Sequence, residues 1–355
     1  MRGFRVLIRR VAVVALVPFV VACSGEPADP GQVTTTAVGL ASTTSTMSTP
    51  TPMPYPEGES LHDIDIEGVP RRFLVHVPVG VVEPHAVVFV LHGGGGEGLN
   101  IATVGEYPLA VFRTVADREG FIVVYPEGLP VDDRQGRAGW SDCRGDNLVS
   151  SGANDIGFLA ALVKSVAATY ELPASSLFMV GSSNGAQMTQ AFAFHHPELL
   201  GAVASSAGSL PASPLPGPCT NGPPRPIPIL LTHGTADAQM PFDGGCVVNV
   251  GGACNRGRVV SAEATRDRWL AINGLSSRTP VETTLDLDTT DGSTAHRFTY
   301  TGSSPVVWWR LDGAGHTAPS RTVRVEPNRV TGSQNGDIEF AEVAWTFFEQ
   351  RLPPG

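Results

Sequence analysis

An α/β fold with a mainly parallel sheet and helices on both faces is what this sequence predicts. From about residue 70, short apolar runs alternate with stretches of helical spacing, the order that packs helices over such a sheet. The run AVVFVL at 86–91 is apolar at every position, as a strand covered on both faces requires. With 355 residues and 42% hydrophobic content, the chain holds enough apolar side chain for one large core.

Ahead of that region, residues 1–22 have the parts of a signal peptide: a basic start, MRGFRVLIRR, and then the apolar VAVVALVPFVVA. Cys23 follows Val20-Val21-Ala22, which resembles the bacterial lipobox and implies cleavage before Cys23 and lipidation of its sulfur. The apolar run is shorter than the roughly 18 residues that span a bilayer, so the expected membrane contact is a lipid anchor alone. Residues 24–60 are rich in Ser, Thr and Pro, and few large apolar side chains are present to offset ordering entropy. The expected organisation is therefore a signal peptide at 1–22, a lipidated Cys23 with a flexible linker at 23–60, and a catalytic domain at 61–355. The anchored protein would face the extracellular or periplasmic side.

Within the domain, FLVHV at 73–77 reads as an early strand, 86–91 and 121–125 as buried ones, and 108–119 as a helix between the two. In 155–170, Ile156, Leu159, Val163, Val166 and Tyr170 recur at helical spacing. Further strands are expected at 177–181, 201–205, 227–232 and 306–311, and helices at 184–196, 261–273 and 339–351. Sheets of this kind bind ligands beyond the carboxyl ends of their strands. Functional residues should therefore follow strand runs directly.

The formal net charge is −10, and it becomes −14 once the four arginines of the first 22 residues are removed. Nucleic acid is an unsuitable partner for such a surface, because its affinity rests on cationic contacts to phosphate. Besides Cys23 the chain has Cys143, Cys219, Cys246 and Cys254, an even number that suits two disulfides in an exported protein. Cys246–Cys254 is favoured, since GGCVVNVGGAC is a short Gly-rich excursion; Cys143–Cys219 would then join two loops. No CxxC or HExxH pattern points to a metal, and His195-His196 fits the last turn of a helix.

One G-x-S-x-G occurs, Gly181-Ser182-Ser183-Asn184-Gly185, between an apolar strand and a small-residue helix. A nucleophile elbow needs that context, because its serine sits on a tight strand-to-helix turn. A serine hydroxyl needs a base, and the base an orienting acid. Asp237 follows strand 227–232 and His316 follows strand 306–311, in the chain order such enzymes use. Asp243, Asp267 and Asp312 compete for the acid's role, while His233 reads as a structural residue ending its strand. Backbone N–H groups of Asn184 and of a glycine in LHGGGG (91–96), Gly94 for preference, would form the oxyanion hole. His92 reads as a hydrogen-bonding residue of that turn, and Asp155 as a first-turn carboxylate suited to its helix dipole.

The ordered series LHGGGG, YPEG, GW-x-x-C, ND-x-GFL, GSSNGAQM, HGTAD and GAGH resembles the secreted polyhydroxybutyrate depolymerase, feruloyl esterase and acetylxylan esterase family over residues 60–352. The resemblance implies an α/β-hydrolase fold, no metal or organic cofactor, and hydrolysis of a small or polymeric ester through an acyl-enzyme. It carries the triad onto Ser183, Asp237 and His316. Many members have a tryptophan two residues after the last histidine; here Ala318 stands there, which weakens transfer of feruloyl or polyester specificity. Trp140 in AGWSDCRG is the candidate substrate-binding wall. A serine peptidase of the same fold and a catalytically inactive envelope-binding lipoprotein remain the alternatives.

Overall fold

Strands β1 (Gly58–Ile66), β2 (Val69–Val77), β3 (Val87–Leu91) and β4 (Ile122–Pro126) open the fold, with helices α1 (Gly98–Ile101) and α2 (Val111–Glu119) between the last two. A small hairpin, β5 (Leu129–Pro130) and β6 (Ala138–Gly139), precedes α3 (Asp155–Thr169), β7 (Leu177–Ser182), α4 (Asn184–His195), β8 (Ala202–Ser206) and β9 (Ile229–Gly234). A second hairpin, β10 (Gly245–Val248) and β11 (Cys254–Val259), leads to α5 (Ala262–Ile272), β12 (Val281–Leu285), β13 (Thr294–Tyr300), β14 (Val306–Asp312) and α6 (Phe340–Glu349). The structure, a computed structural model, describes residues 55–354 apart from 104, 132–136, 148–149, 215–224, 250 and 327–330. The signal segment, Cys23 and the linker up to residue 54 lie outside the described residues.

Ten strands form one sheet in the order β1-β2-β4-β3-β7-β8-β9-β14-β13-β12. The six from β4 to β14 run parallel, and antiparallel strands extend both edges. This is the α/β arrangement that the buried runs led one to expect. Side chains alternate across the sheet, so Val88 and Val90 enter one core and Val87, Phe89 and Leu91 the other. On the first face α2 and α6 pack through Phe112, Val115, Phe340 and Phe348; on the second, α3, α4 and α5 contribute Phe158, Val163, Phe192 and Trp269. Covering on both sides is why these strands carry no polar alternation.

Two departures stand out. Strand β1 begins at Gly58, inside the stretch read as linker, and Tyr55 already donates its backbone N–H to the Tyr170 hydroxyl at 3.1 Å. The edge strands β1 and β12, and β13 beside the latter, have no counterpart among the expected elements. They are half exposed and carry Asp, Glu, Thr, His and Arg, so no apolar run marks them.

Candidate active site

Strand β7 ends at Ser182, and α4 starts at Asn184, which leaves Ser183 alone at the turn with φ 56° and ψ −120°. A left-handed φ is strained for a residue with a side chain, by about 1–3 kcal/mol. The flanking glycines make the turn possible. A Cβ on Gly181 would lie 2.3 Å from the Gly185 backbone, and one on Gly185 would lie 2.4 Å from the His92 carbonyl oxygen. Both spaces are closed to any larger residue.

His316 Nε2 lies 2.8 Å from Ser183 Oγ, and its Nδ1 lies 2.7 Å from Asp237 Oδ2. Residues 133 positions apart in the chain therefore meet at one end of the sheet. Each sits where a parallel strand stops: Ser183 after β7, Asp237 after β9, His316 after β14. Asp237 Oδ1 accepts from the backbone N–H groups of Gln239 and Met240 at 2.9 and 2.8 Å. Burial alone would raise this carboxyl's pKa, but the facing His316, its hydrogen bond, His233 and the Met240 amide hold it below the usual range. Asp237 is thus an anion that accepts the His316 Nδ1–H, which leaves Nε2 facing the serine proton. His233 donates to the Met240 carbonyl at 2.9 Å, and burial keeps its pKa low, as suits a structural residue. Two of the competing carboxylates are engaged elsewhere: Asp312 pairs with Arg310 at 2.7 Å and Asp267 with Arg266 at 2.8 Å.

The loop after β3 lies against the elbow. A Cβ on Gly93 would be 3.5 Å from Ser183 Cβ, and one on Gly94 would be 3.3 Å from Asn184 Cβ. Gly95 and Gly96 donate their N–H groups to the Ala138 and Gly93 carbonyls at 2.7 and 3.0 Å, which leaves Gly93 and Gly94 as oxyanion candidates. His92 holds the turn. Its Nε2 accepts from the Gly128 N–H at 3.0 Å, so Nδ1 carries the proton and donates to the Gly93 carbonyl at 2.8 Å. Full burial pushes its pKa down to about 4, so the ring is neutral.

A polar network that no sequence pattern announces supports this turn. Asn184 Oδ1 accepts from the Trp140 backbone N–H at 2.7 Å; its Nδ2 donates to the Trp140 carbonyl at 3.0 Å and to Asp142. Asp142 is held in turn by Arg144 at 2.7 Å, both side chains being buried. Ser141 N–H donates to Asp155 at 2.7 Å, and Asp155 pairs with buried Arg71 at 2.6 Å. Asp155 is therefore more than a dipole partner of its helix. Trp140 borders the cavity with only 1% of its surface exposed; the ring lies 4.9 Å from His92 and its Nε1–H donates to the His92 carbonyl at 2.9 Å. The indole thereby supports the oxyanion turn.

Beside Ser183 lies a cavity of about 200 Å³, bordered by Gly94, Asn184, Gln187, Met240, Val247 and three arginines among others. Ala318 is buried, its carbonyl accepting from Gln334 at 2.9 Å. Cys246 and Cys254 are disulfide-bonded with Cα atoms 5.7 Å apart, across the β10–β11 hairpin that carries Val247. Cys143 is disulfide-bonded too, and its expected partner Cys219 lies outside the described residues. His195 ends α4 and His196 caps it, and no cluster of metal-ligating side chains occurs among the described residues.

A serine on a strand-to-helix elbow over a parallel sheet, within reach of a carboxylate-held histidine, defines an α/β-hydrolase. Residues 73–212 match the Esterase PHB depolymerase family, a stretch that includes Ser183 and the Gly93–Gly96 turn. The protein named "Putative esterase NocK" from Nocardia uniformis subsp. tsuyamanensis is 26% identical over 296 residues, covering 80% of this chain and 81% of its own. A "Probable feruloyl esterase C" from Aspergillus flavus is 27% identical over 216 residues, 60% of this chain and 69% of its own. Among solved structures, an acetyl xylan esterase from Aspergillus awamori matches at TM-score 0.50 and 19% identity, over 74% of this chain and 95% of that one. That last likeness speaks to the fold.

Proposed function

We propose that this chain, a carboxylic ester hydrolase, cleaves its ester through an acyl-enzyme on Ser183, with His316 as base and Asp237 as its orienting carboxylate. The observation that carries the reading is the unbroken hydrogen-bonded series from Asp237 through His316 to the Ser183 hydroxyl, at 2.7 and 2.8 Å. His316 Nε2 takes the proton as Oγ attacks the ester carbonyl, and Asp237 stabilises the imidazolium. The amides of Asn184 and Gly94 receive the oxyanion, where one such donor is worth roughly 3–4 kcal/mol in the transition state. His316 then protonates the departing alcohol, and water releases the acid by the reverse series of steps. A cavity of about 200 Å³ favours a short acyl portion.

Replacing Ser183 by alanine should lower kcat on 4-nitrophenyl acetate by roughly 10⁶-fold. Near-normal turnover by purified Ser183→Ala would remove the assignment. The N-terminal pattern supports export and a lipid on Cys23, which would tether the enzyme to the outer face of the membrane. Metabolic labelling with a palmitate analogue tests it: wild type should incorporate label and Cys23→Ala should not.

A further inference from the structure

The protein is acidic, with a formal net charge of −10, yet its cavity at Ser183 is cationic. Arg137, Arg144 and Arg256 border it, and among the described residues that border it none is an Asp or Glu. Arg144 is neutralised by Asp142 at 2.7 Å. Arg137 and Arg256 are different. Neither guanidinium makes an ion pair or donates a hydrogen bond within the protein among the described residues. Arg256 is half-buried, and its Nη1 lies 3.8 Å from the place a Cβ on Gly94 would occupy, directly over the oxyanion turn. Arg137 Cδ lies 3.6 Å from the corresponding point on the next glycine, Gly95. Burial first, then the charges of Arg144 and Arg137, pull the Arg256 pKa below its usual value. A crowded cation without an acceptor is stabilised by an incoming anion. A planar guanidinium fork matches a carboxylate in particular. Met240, Val247 and Val131 supply apolar walls in the same cavity.

Resting on the assignment of Ser183 as nucleophile, we propose that the preferred substrate is an ester bearing a second, ionised carboxylate, which Arg256 and Arg137 hold beside the scissile carbonyl. The charge on the substrate takes the place that no carboxylate among the described residues fills. The carboxylate belongs to the acyl or the alcohol portion, and charged probes of both kinds separate the two.

The test compares kcat/KM for two matched pairs: mono-4-nitrophenyl glutarate against 4-nitrophenyl valerate, and 4-acetoxybenzoate against 4-acetoxybenzamide. Wild type should favour the anionic member of one pair by about tenfold or more. Salt at 0.5 M should cut that preference and leave the neutral ester's rate nearly constant. Arg256→Gln should lower the anionic-to-neutral ratio by about tenfold, and Arg256→Lys should restore most of it. Absence of anionic preference in both pairs, with the neutral esters turned over, would overturn this inference alone. Failure of wild type to hydrolyse any of the four esters would overturn the Ser183 assignment on which it rests. The salt arm needs no variant, so a poorly folding Arg256→Gln protein does not shield the proposal.

Discussion

Removal of the carboxylate at 155 puts the polar support of the site under direct strain. Arg71 and Asp155 have side chains only 2% and 0% exposed, and they are 2.6 Å apart. Burial lifts the Asp155 pKa above the usual carboxylate range even against the adjacent Arg71 charge. Desolvation of this carboxylate therefore outweighs what its partners return, and the cost of breaking the pair lies mostly in the charge left behind. Asp155→Asn should destabilise by about 3–5 kcal/mol, as should Arg71→Met. A folded domain has about 5–15 kcal/mol in total, so either change removes a large share. The double variant should lose much less than either single one, because no unpaired ion remains. Guanidinium-chloride unfolding of the four proteins measures this cycle. Additive losses, or single losses under about 1 kcal/mol, would refute the reasoning. Asp155 also accepts the Ser141 N–H at 2.7 Å, next to the Trp140 backbone that clamps Asn184. Turnover of 4-nitrophenyl acetate should thus fall in Asp155→Asn even below the denaturation range.

Gly185→Ala would place a methyl 2.4 Å from the His92 carbonyl and 2.5 Å from that of Leu91, both backbone atoms that cannot swing aside. Expression of folded protein, followed by circular dichroism, should show its loss or a strongly lowered Tm. Opening Cys246–Cys254 with paired serines should cost about 2.5 kcal/mol on the chain-entropy model and loosen the hairpin that carries Val247 and Arg256, readable as a lower Tm. His92 titrates near 4 in the folded chain, below its ordinary value in the unfolded one. The unfolded state therefore binds the extra proton first, and stability falls as pH drops from about 6.5 to about 4, by up to about 3 kcal/mol. Unfolding midpoints of wild type and His92→Gln across that range should converge towards acid pH; parallel curves would exclude His92 as the cause.

Strands buried on both faces were legible because covering removes any need for polar residues, as AVVFVL shows at 86–91. The edge strands were not. In β12, VETTL offers no continuous apolar run, and pairing with β13 is settled by hydrogen bonds that composition does not announce. Ser183, Asp237 and His316 could be singled out because chemistry and position agree: each is a reactive residue directly after a parallel strand. The support behind them was hidden. Asn184 finds Asp142 and Trp140 across 42 and 44 residues, and Arg71 finds Asp155 across 84, so only the packed fold pairs them. Trp140 has a hidden partner as well: its indole N–H reaches the His92 carbonyl across 48 residues. The arginines at 137, 144 and 256 are likewise scattered in the chain and become a feature only around the cavity.

Fluorophosphonate labelling with peptide mapping tests the central claim most directly, since the probe bonds only to a serine activated by its neighbours. The account predicts one phosphonylated peptide, with the adduct on Ser183, and no labelling of His316→Ala under the same conditions. Labelling at another serine, or equal labelling of wild type and His316→Ala, would contradict it.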